Sequence, residues 1–337
     1  MNLRRLLLAI AVVALVIFGY IFWSDLQEAF EITRSVHWGW LLLLIPIQAT
    51  NFFAHAMFFR SALRTIGIDS PSLSRLYSLS LAVGFTNVIV PSAGAAGVSF
   101  MAAALRRDGV KGGEAAFIQL ARYASVYVSY IILLVFALLS LIFGSAVSTM
   151  AILIALAIIA NILVVTLLGI YLVYDQRAFK WLFRSLQRLI DWFARKFRKG
   201  QDLVGGKRIK RVTEDFFSGV RRIVRNRAYF KEPFWWGLFG NCVEVLSLYT
   251  VFVALNFVVN PGVVVIAFAI ASGAGILTVI PGDVGVYEFA MIATLSLAGV
   301  PLAVGISGTI LFRVINRLVI LPFGLYFYNQ YIKEFAI

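Results

Sequence analysis

Two proline-centred breaks interrupt otherwise apolar sequence, and they restrict the fold of this chain more than any other feature. The first lies between Asn87 and Gly97 and carries Pro91, Ser92, Gly94 and Gly97. The second lies between Leu277 and Glu288 and carries Pro281, Gly282, Asp283 and Gly285. Hydrocarbon offers no hydrogen-bond partner, so a helix broken at membrane depth must satisfy its freed backbone groups against protein or water. Broken helices at matching places in two halves point to a polar site at the centre of a transporter.

The surroundings of the breaks are those of a membrane protein. Of the 337 residues, 61% are hydrophobic and 14% charged, against about 25% charged in an average soluble domain. The formal charge of +14 is concentrated, because residues 174–231 hold 17 Lys/Arg against 5 Asp/Glu while the remainder is nearly balanced. A basic block flanked by spans is a topology signal before it is a partner signal, and no nucleic-acid partner is expected. The lone Cys242 excludes a disulfide framework and a Cys-based metal site, and His37 and His55 lack ligand-like company. No metal or other cofactor is expected. Phosphate-loop, dinucleotide, HExxH and GxSxG motifs are all missing, so a non-enzymatic protein is expected.

Apolar stretches long enough to span, about 20 residues each, fall at 4–23, 38–59, 114–143, 149–173, 234–258 and 302–328. The stretches 76–105 and 263–298 break at Pro91 and at Pro281-Gly282, and their arms are too short to cross comfortably. Both read as re-entrant helical hairpins. The expected fold is therefore all-α and polytopic, with six full transmembrane helices and two hairpins. Arg4 and Arg5 place the N-terminus in the cytoplasm, and Asp25, Glu28 and Glu31 place the next loop outside. The arginines at 60, 64, 75, 106 and 107 and the block 174–231 lie inside. On this reading the protein sits in the inner membrane with both termini cytoplasmic, and its two hairpins enter from opposite faces.

The halves also align. At an offset of 190, Asn51 matches Asn241, Pro91 matches Pro281, and Met101, Ala103 and Leu105 match Met291, Ala293 and Leu295; one added residue brings Arg122 onto Arg313. An in-span Asn, a breaking Pro and an in-span Arg in the same order indicate an inverted-topology repeat. The first repeat covers 1–143 and the second 149–328, with 174–231 as a cytoplasmic amphipathic connector. In that connector Leu182, Leu186, Leu189 and Phe193 share one helical face, and Val212, Phe216, Val220 and Ile223 share another. Its basic residues either orient the chain or also recruit anionic headgroups.

A charge inside a span costs at least about 2.5–3.5 kcal/mol near its centre and defaults to a functional reading. Arg122, Glu244, Asp283, Glu288, Arg313 and Arg317 meet that criterion. Arg122 and Arg313 suit a phosphate, which a guanidinium grips with two hydrogen bonds, or they pair with hairpin groups. Glu288 either takes a proton, meets a headgroup amine or partners Arg313; Glu288 and Glu244 are the candidates for coupling. Asp283 reads as a helix N-cap and Ser92 likewise. Asn51 and Asn241 are expected to hydrogen-bond the broken backbone or the substrate. Arg317, one turn beyond Arg313, reads as a side chain snorkelling to the cytoplasmic face. Gly94, Gly97, Gly282 and Gly285 suit tight turns at the hairpin tips.

At these residues the chain resembles the flippase-like family built on the transmembrane region of lysylphosphatidylglycerol synthase. The resemblance covers nearly the whole chain. It rests on Asn87 through Pro91-Ser92-Ala93-Gly94, on the Arg122-Tyr123 span, and on Pro281-Gly282-Asp283-Val284-Gly285-Val286-Tyr287-Glu288, similar to the family's Pro-Gly-x-x-Gly-x-x-Glu. It implies an inner-membrane protein that moves polar lipids between leaflets, without the aminoacyl-transferase domain of the multidomain relatives. The implied partners are membrane lipids, whether anionic or aminoacylated phospholipid, glycolipid or hopanoid-type; a homodimer is compatible with this. The expected function is a lipid flippase with a midplane site. The alternatives are a membrane-embedded enzyme acting on lipid phosphates and a transporter of a small soluble anion.

Overall fold

The computed structural model describes residues 23–65, 67–68, 71–90, 95–143, 231–276 and 283–335, with scattered positions between 153 and 181. Among these residues there are helices and turns and no strand. The order is α1 (Trp23–Arg34), α2 (Trp38–Thr65), α3 (Leu73–Ile89), α4 (Ala95–Leu105), a short 3-10 turn (Arg106–Asp108), α5 (Gly112–Phe143), α6 (Lys231–Ala254), α7 (Pro261–Ile276), α8 (Val286–Leu297) and α9 (Leu302–Phe335). The expected span 4–23, almost all of 149–173, most of the connector and the tip residues Pro91, Ser92, Gly94, Pro281 and Gly282 lie outside the described residues.

Four of these helices, α2, α5, α6 and α9, are long and apolar enough to cross a membrane. Their outer faces carry Trp40, Leu42, Ile45, Ile132, Val135, Phe136, Phe239, Leu246, Val314 and Leu318, all exposed. So continuous an apolar surface on spanning-length helices is a lipid-facing one. The two largest overruns of the sequence-derived limits are at helix ends: α2 continues to Thr65 and α9 to Phe335. The second extension has a visible cause at the end of the bundle. Arg75 Nε lies 3.2 Å from Asp108 Oδ2 and its Nη1 lies 3.3 Å from Glu334 Oε2, while Tyr331 Oη donates to the Arg75 carbonyl at 2.9 Å. These bonds hold the last turns of α9 against the start of α3 and the turn after α4.

Helix ends are closed by left-handed residues. Gly67, Gly109, Asn256 and Gly299 have φ of 75°, 79°, 57° and 89°. In each case the next residue's N–H returns to a carbonyl five positions back: Ile68 to Leu63, Val110 to Leu105, Phe257 to Phe252 and Val300 to Leu295. This is the Schellman arrangement, which satisfies carbonyls that a helix end would otherwise orphan. It stops α6 at Ala254, four residues short of the limit expected from hydropathy, because Asn256 turns the chain away.

Packing links the halves crosswise. The most extensive helix–helix contact joins α2 to α6; α3 packs on α9, and α7 packs on α5. Two large apolar clusters result, beside a small one of Ala29, Ala303 and Ile306. One gathers Phe58, Phe59, Leu63, Leu76, Leu79, Met101, Leu105 and Ile118, and the other gathers Leu134, Leu248, Val251, Phe252, Val264, Met291 and Leu295. The α3–α9 contact depends on Gly324, where an added Cβ would lie 2.6 Å from Phe85 Cβ and 2.9 Å from the Leu81 carbonyl oxygen. Gly324→Ala should therefore destabilise by about 1–3 kcal/mol through overpacking. Gly39→Ala, with nothing within 4 Å of the new carbon, should leave thermal unfolding in detergent unchanged; equal melting temperatures for the two variants would contradict this packing.

Candidate functional site

A cavity of about 300 Å³ opens where the two apolar clusters face each other. Its walls come from α2 (Gln48, Asn51, His55), α3 (Asn87), α5 (Arg122), α6 (Glu244), α7 (Ser272), the turn before α8 (Asp283), and α8 and α9 (Tyr287, Arg313, Asn316, Arg317). Polar residues enter so apolar an interior because each helix confines them to one stripe. Gln48, Asn51 and His55 recur at three- and four-residue spacing on α2, as do Arg313, Asn316 and Arg317 on α9, which puts each set on a single face.

On the α8–α9 side the charges are paired. Arg313 Nε lies 2.7 Å from Glu288 Oε1, and its Nη1 lies 3.5 Å from Asp283 Oδ2. Its guanidinium carbon sits 4.5 Å from the centre of the Tyr287 ring, in cation–π range. Arg317 Nη2 approaches Asp283 Oδ1 at 3.8 Å. Glu288 also accepts from the Gly285 N–H at 2.6 Å, so it anchors the first turn of α8 as well as the arginine. This corrects two expectations. Asp283 is not the N-cap of α8, since Gly285 holds that place with φ of 89°; its carboxylate instead bridges Arg313 and Arg317. Arg317 does not snorkel away, because Asp283 holds it at the cavity wall.

The arginine that aligns with it by sequence offset is placed differently. Arg122 Nη1 meets His55 Nε2 at 3.3 Å and its guanidinium carbon lies 5.4 Å from the Tyr123 ring centre. A guanidinium only donates, so Nε2 of His55 is the acceptor. Among the described residues no carboxylate lies within ion-pair distance of Arg122, and its buried Nε has no hydrogen-bond partner. Across the cavity Glu244 accepts from Asn51 Nδ2, while Glu244 Oε2 and Asn51 Oδ1 are buried without partners. Tyr287 Oη and Asn316 Oδ1 complete this set of unsatisfied atoms around one cavity. Buried polar groups without partners are costly and rare, and five residues contribute them to the wall of this one cavity.

The remaining residues singled out in the sequence are placed as follows. Asn51 lines the cavity and bonds Glu244 rather than a hairpin. Asn241 does not line it; its Nδ2 donates to the Val126 carbonyl and to Ser129 Oγ, joining α6 to α5. Glu288 stands behind Arg313, outside the lining. Gly97 is buried and donates its N–H to Asn87 Oδ1 at 3.0 Å, and any side chain at 97 would run into that amide. Asn87 thereby ties the two arms of the first break together beside the cavity. Gln48, His55, Asn87, Tyr287 and Asn316 were missed as site residues, although the polar stripes on α2 and α9 are visible in sequence.

The pairing pattern gives a measurable asymmetry. Removing one member of a fully buried ion pair costs about 3–5 kcal/mol, and the cost is smaller here because Arg313, Glu288 and Asp283 are partly exposed. Among the described residues, Arg313→Ala leaves Glu288 without a cation and Asp283 with Arg317 alone at 3.8 Å, and should lower thermal stability in detergent. Arg122→Ala strands no carboxylate and should unfold near the wild-type temperature.

Two comparisons bear on this arrangement. Residues 6–324 match the family described as lysylphosphatidylglycerol synthase TM region. The chain is also 26% identical over 309 residues to a protein of Methanothermobacter thermautotrophicus named UPF0104 membrane protein, covering 89% of this chain and 85% of that one. With its several spanning-length apolar helices it is a multi-pass membrane protein, and it belongs to the lysylphosphatidylglycerol synthase TM region family.

Proposed function

We propose that this protein carries a polar, phosphate-bearing or aminoacylated lipid between the leaflets of the inner membrane, with the headgroup in the central cavity and the acyl chains left in lipid. One observation carries the reading: Arg122 faces a cavity among spanning-length helices with a buried, unpartnered Nε and no carboxylate beside it among the described residues. A guanidinium there is costly unless an anion completes it, and a phosphate oxygen pair fits its planar donors. Arg313 is the second, already compensated pole, able to exchange part of its contact with Asp283 for a ligand.

The mechanism we infer is alternating access between two inverted repeats, α2–α5 and α6–α9. Several features support that pairing. The contacts α3–α9 and α7–α5 exchange under it, as do α3–α4 and α7–α8. The left-handed turns at Gly67 and Gly109 recur at Asn256 and Gly299. Met101 and Leu105, both fully buried in one cluster, recur as Met291 and Leu295 in the other. The arms of the proposed re-entrant hairpins, 17 and 11 residues in α3 and α4 and 16 and 12 in α7 and α8, fall short of the roughly 20 needed to cross the hydrocarbon. The distribution of basic loops supports a cytoplasmic location for both termini.

In liposomes, the protein should redistribute a fluorescent short-chain phosphatidylglycerol between leaflets with its mass unchanged. Folded Arg122→Ala should slow this at least about tenfold, a loss of roughly 1.4 kcal/mol in transition-state stabilisation, and Arg122→Lys should recover part of it. Wild-type rates in Arg122→Ala, or acceleration of inorganic phosphate flux instead of lipid movement, would refute the proposal.

A further inference from the structure

The cavity holds one carboxylate that the headgroup reading leaves unused. Glu244 lies on α6, which makes its most extensive contact with α2 and also packs on α5. Asn51 Nδ2 donates to one of its oxygens, and the other, Oε2, is buried without a partner. No cation comes within ion-pair distance of it among the described residues.

The neutral amides of Asn51 and Gln48 on α2 are its hydrogen-bond partners, and the charged groups that share its cavity leave its charge uncompensated. From α9, Arg313 and Arg317 are shared with Asp283 and Glu288. From α5, Arg122 faces His55 of α2. Tyr287 of α8 also lines the cavity, but it is a phenol, neutral near pH 7. From α7 comes Ser272, which carries no charge. A bare carboxylate in this setting is penalised by desolvation, and a second anion brought to Arg122 in the same cavity of about 300 Å³ would add repulsion. A proton on Glu244 removes both penalties. Each ligand then favours the other, since binding free energies are reciprocally linked.

We infer that Glu244 takes up a proton together with the anionic headgroup, which makes the protein a proton–lipid symporter. This rests on the cavity being the headgroup site. The carboxylate accepts a proton from water on the face to which the cavity is open, and returns it to water on the opposite face after the cavity reorients. No bond other than O–H is made or broken, and the transmembrane proton gradient supplies the drive. Glu288 does not serve this role, because Arg313 and the Gly285 N–H occupy both its oxygens.

The test uses Glu244→Gln, which retains a carbonyl oxygen for the Asn51 amide. Purified protein is titrated with short-chain phosphatidylglycerol from pH 5 to pH 9. Wild type should bind about tenfold more weakly at the alkaline end, while folded Glu244→Gln should bind with one pH-independent affinity near the acid value of the wild type. In liposomes an imposed pH gradient should drive lipid accumulation by the wild type and not by the variant.

Retention of the wild-type pH dependence by Glu244→Gln overturns the inference. So does loss of phosphatidylglycerol binding at every pH in the folded variant. Selective loss of an amine-bearing short-chain phosphatidylethanolamine also overturns it, since Glu244 would then be an amine ligand. Infrared difference spectra of wild type against Glu244→Gln separate this proposal from the transport reading. A protonated-carboxyl C=O band that titrates and is absent from the variant upholds the proton site even if no lipid moves. Its absence removes the proton site while leaving lipid movement to stand on Arg122.

Discussion

The guanidinium of Arg313, held by Glu288 at 2.7 Å and by Asp283 at 3.5 Å with the Tyr287 ring beneath it, is the contact on which the second half of the molecule depends. It joins α9 to the broken segment ahead of α8, where Asp283 adopts a left-handed φ of 54° and Gly285 one of 89°. Irregular backbone at membrane depth survives only where protein satisfies it. Glu288 meets that need twice, by accepting from the Gly285 N–H and by pairing Arg313. Asp283 approaches closely because position 275 is glycine, where a Cβ would come within 2.7 Å of its carboxylate.

The first half solves the same backbone problem without charge. Asn87 reaches across to the Gly97 N–H and stitches α3 to α4 through a neutral amide. The arginine equivalent to Arg313 is thereby left without an acidic partner among the described residues. The two halves share helix order, cluster residues and terminal turns, yet they present one compensated and one uncompensated cation to a common cavity. A pair of identical half-sites would attract an anion equally from both sides. The unequal pair concentrates the unmet demand at Arg122, with Glu244 and Asn51 among the unsatisfied groups around the same cavity.

Much of the framework was legible from residues alone. Hydropathy located α2, α5, α6 and α9, since a spanning segment must be apolar over its whole length, but it missed the ends of α2 and α9 at Thr65 and Phe335. Pro91 and Pro281 located the breaks between α3 and α4 and between α7 and α8, because proline cannot continue a helix without losing a hydrogen bond. The chemistry-bearing residues were legible as types, and Arg122, Arg313, Glu244, Asp283 and Asn51 do converge on one cavity. Their partners were not. Asn51 and Asn241 are equivalent by offset, but one reaches Glu244 and the other reaches α5, because each side chain bonds whatever the neighbouring helix presents. The extra length of α9 was hidden as well, since it depends on Arg75 meeting Glu334 across a separation of 259 residues.

The sequence by itself determined the class of molecule: an all-helical chain with spanning segments, two interrupted stretches and in-span charges in a repeated order. Those properties follow from composition and periodicity, which act locally along the chain. Only the tertiary structure decided which charges neutralise one another and which face the cavity unmet. Ion pairing falls off within a few ångströms, and so it is set by the packing of α2 on α6 and of α3 on α9 rather than by the order of residues. Arg122 and Arg313 look alike in the sequence, and they differ because different neighbours were brought to them.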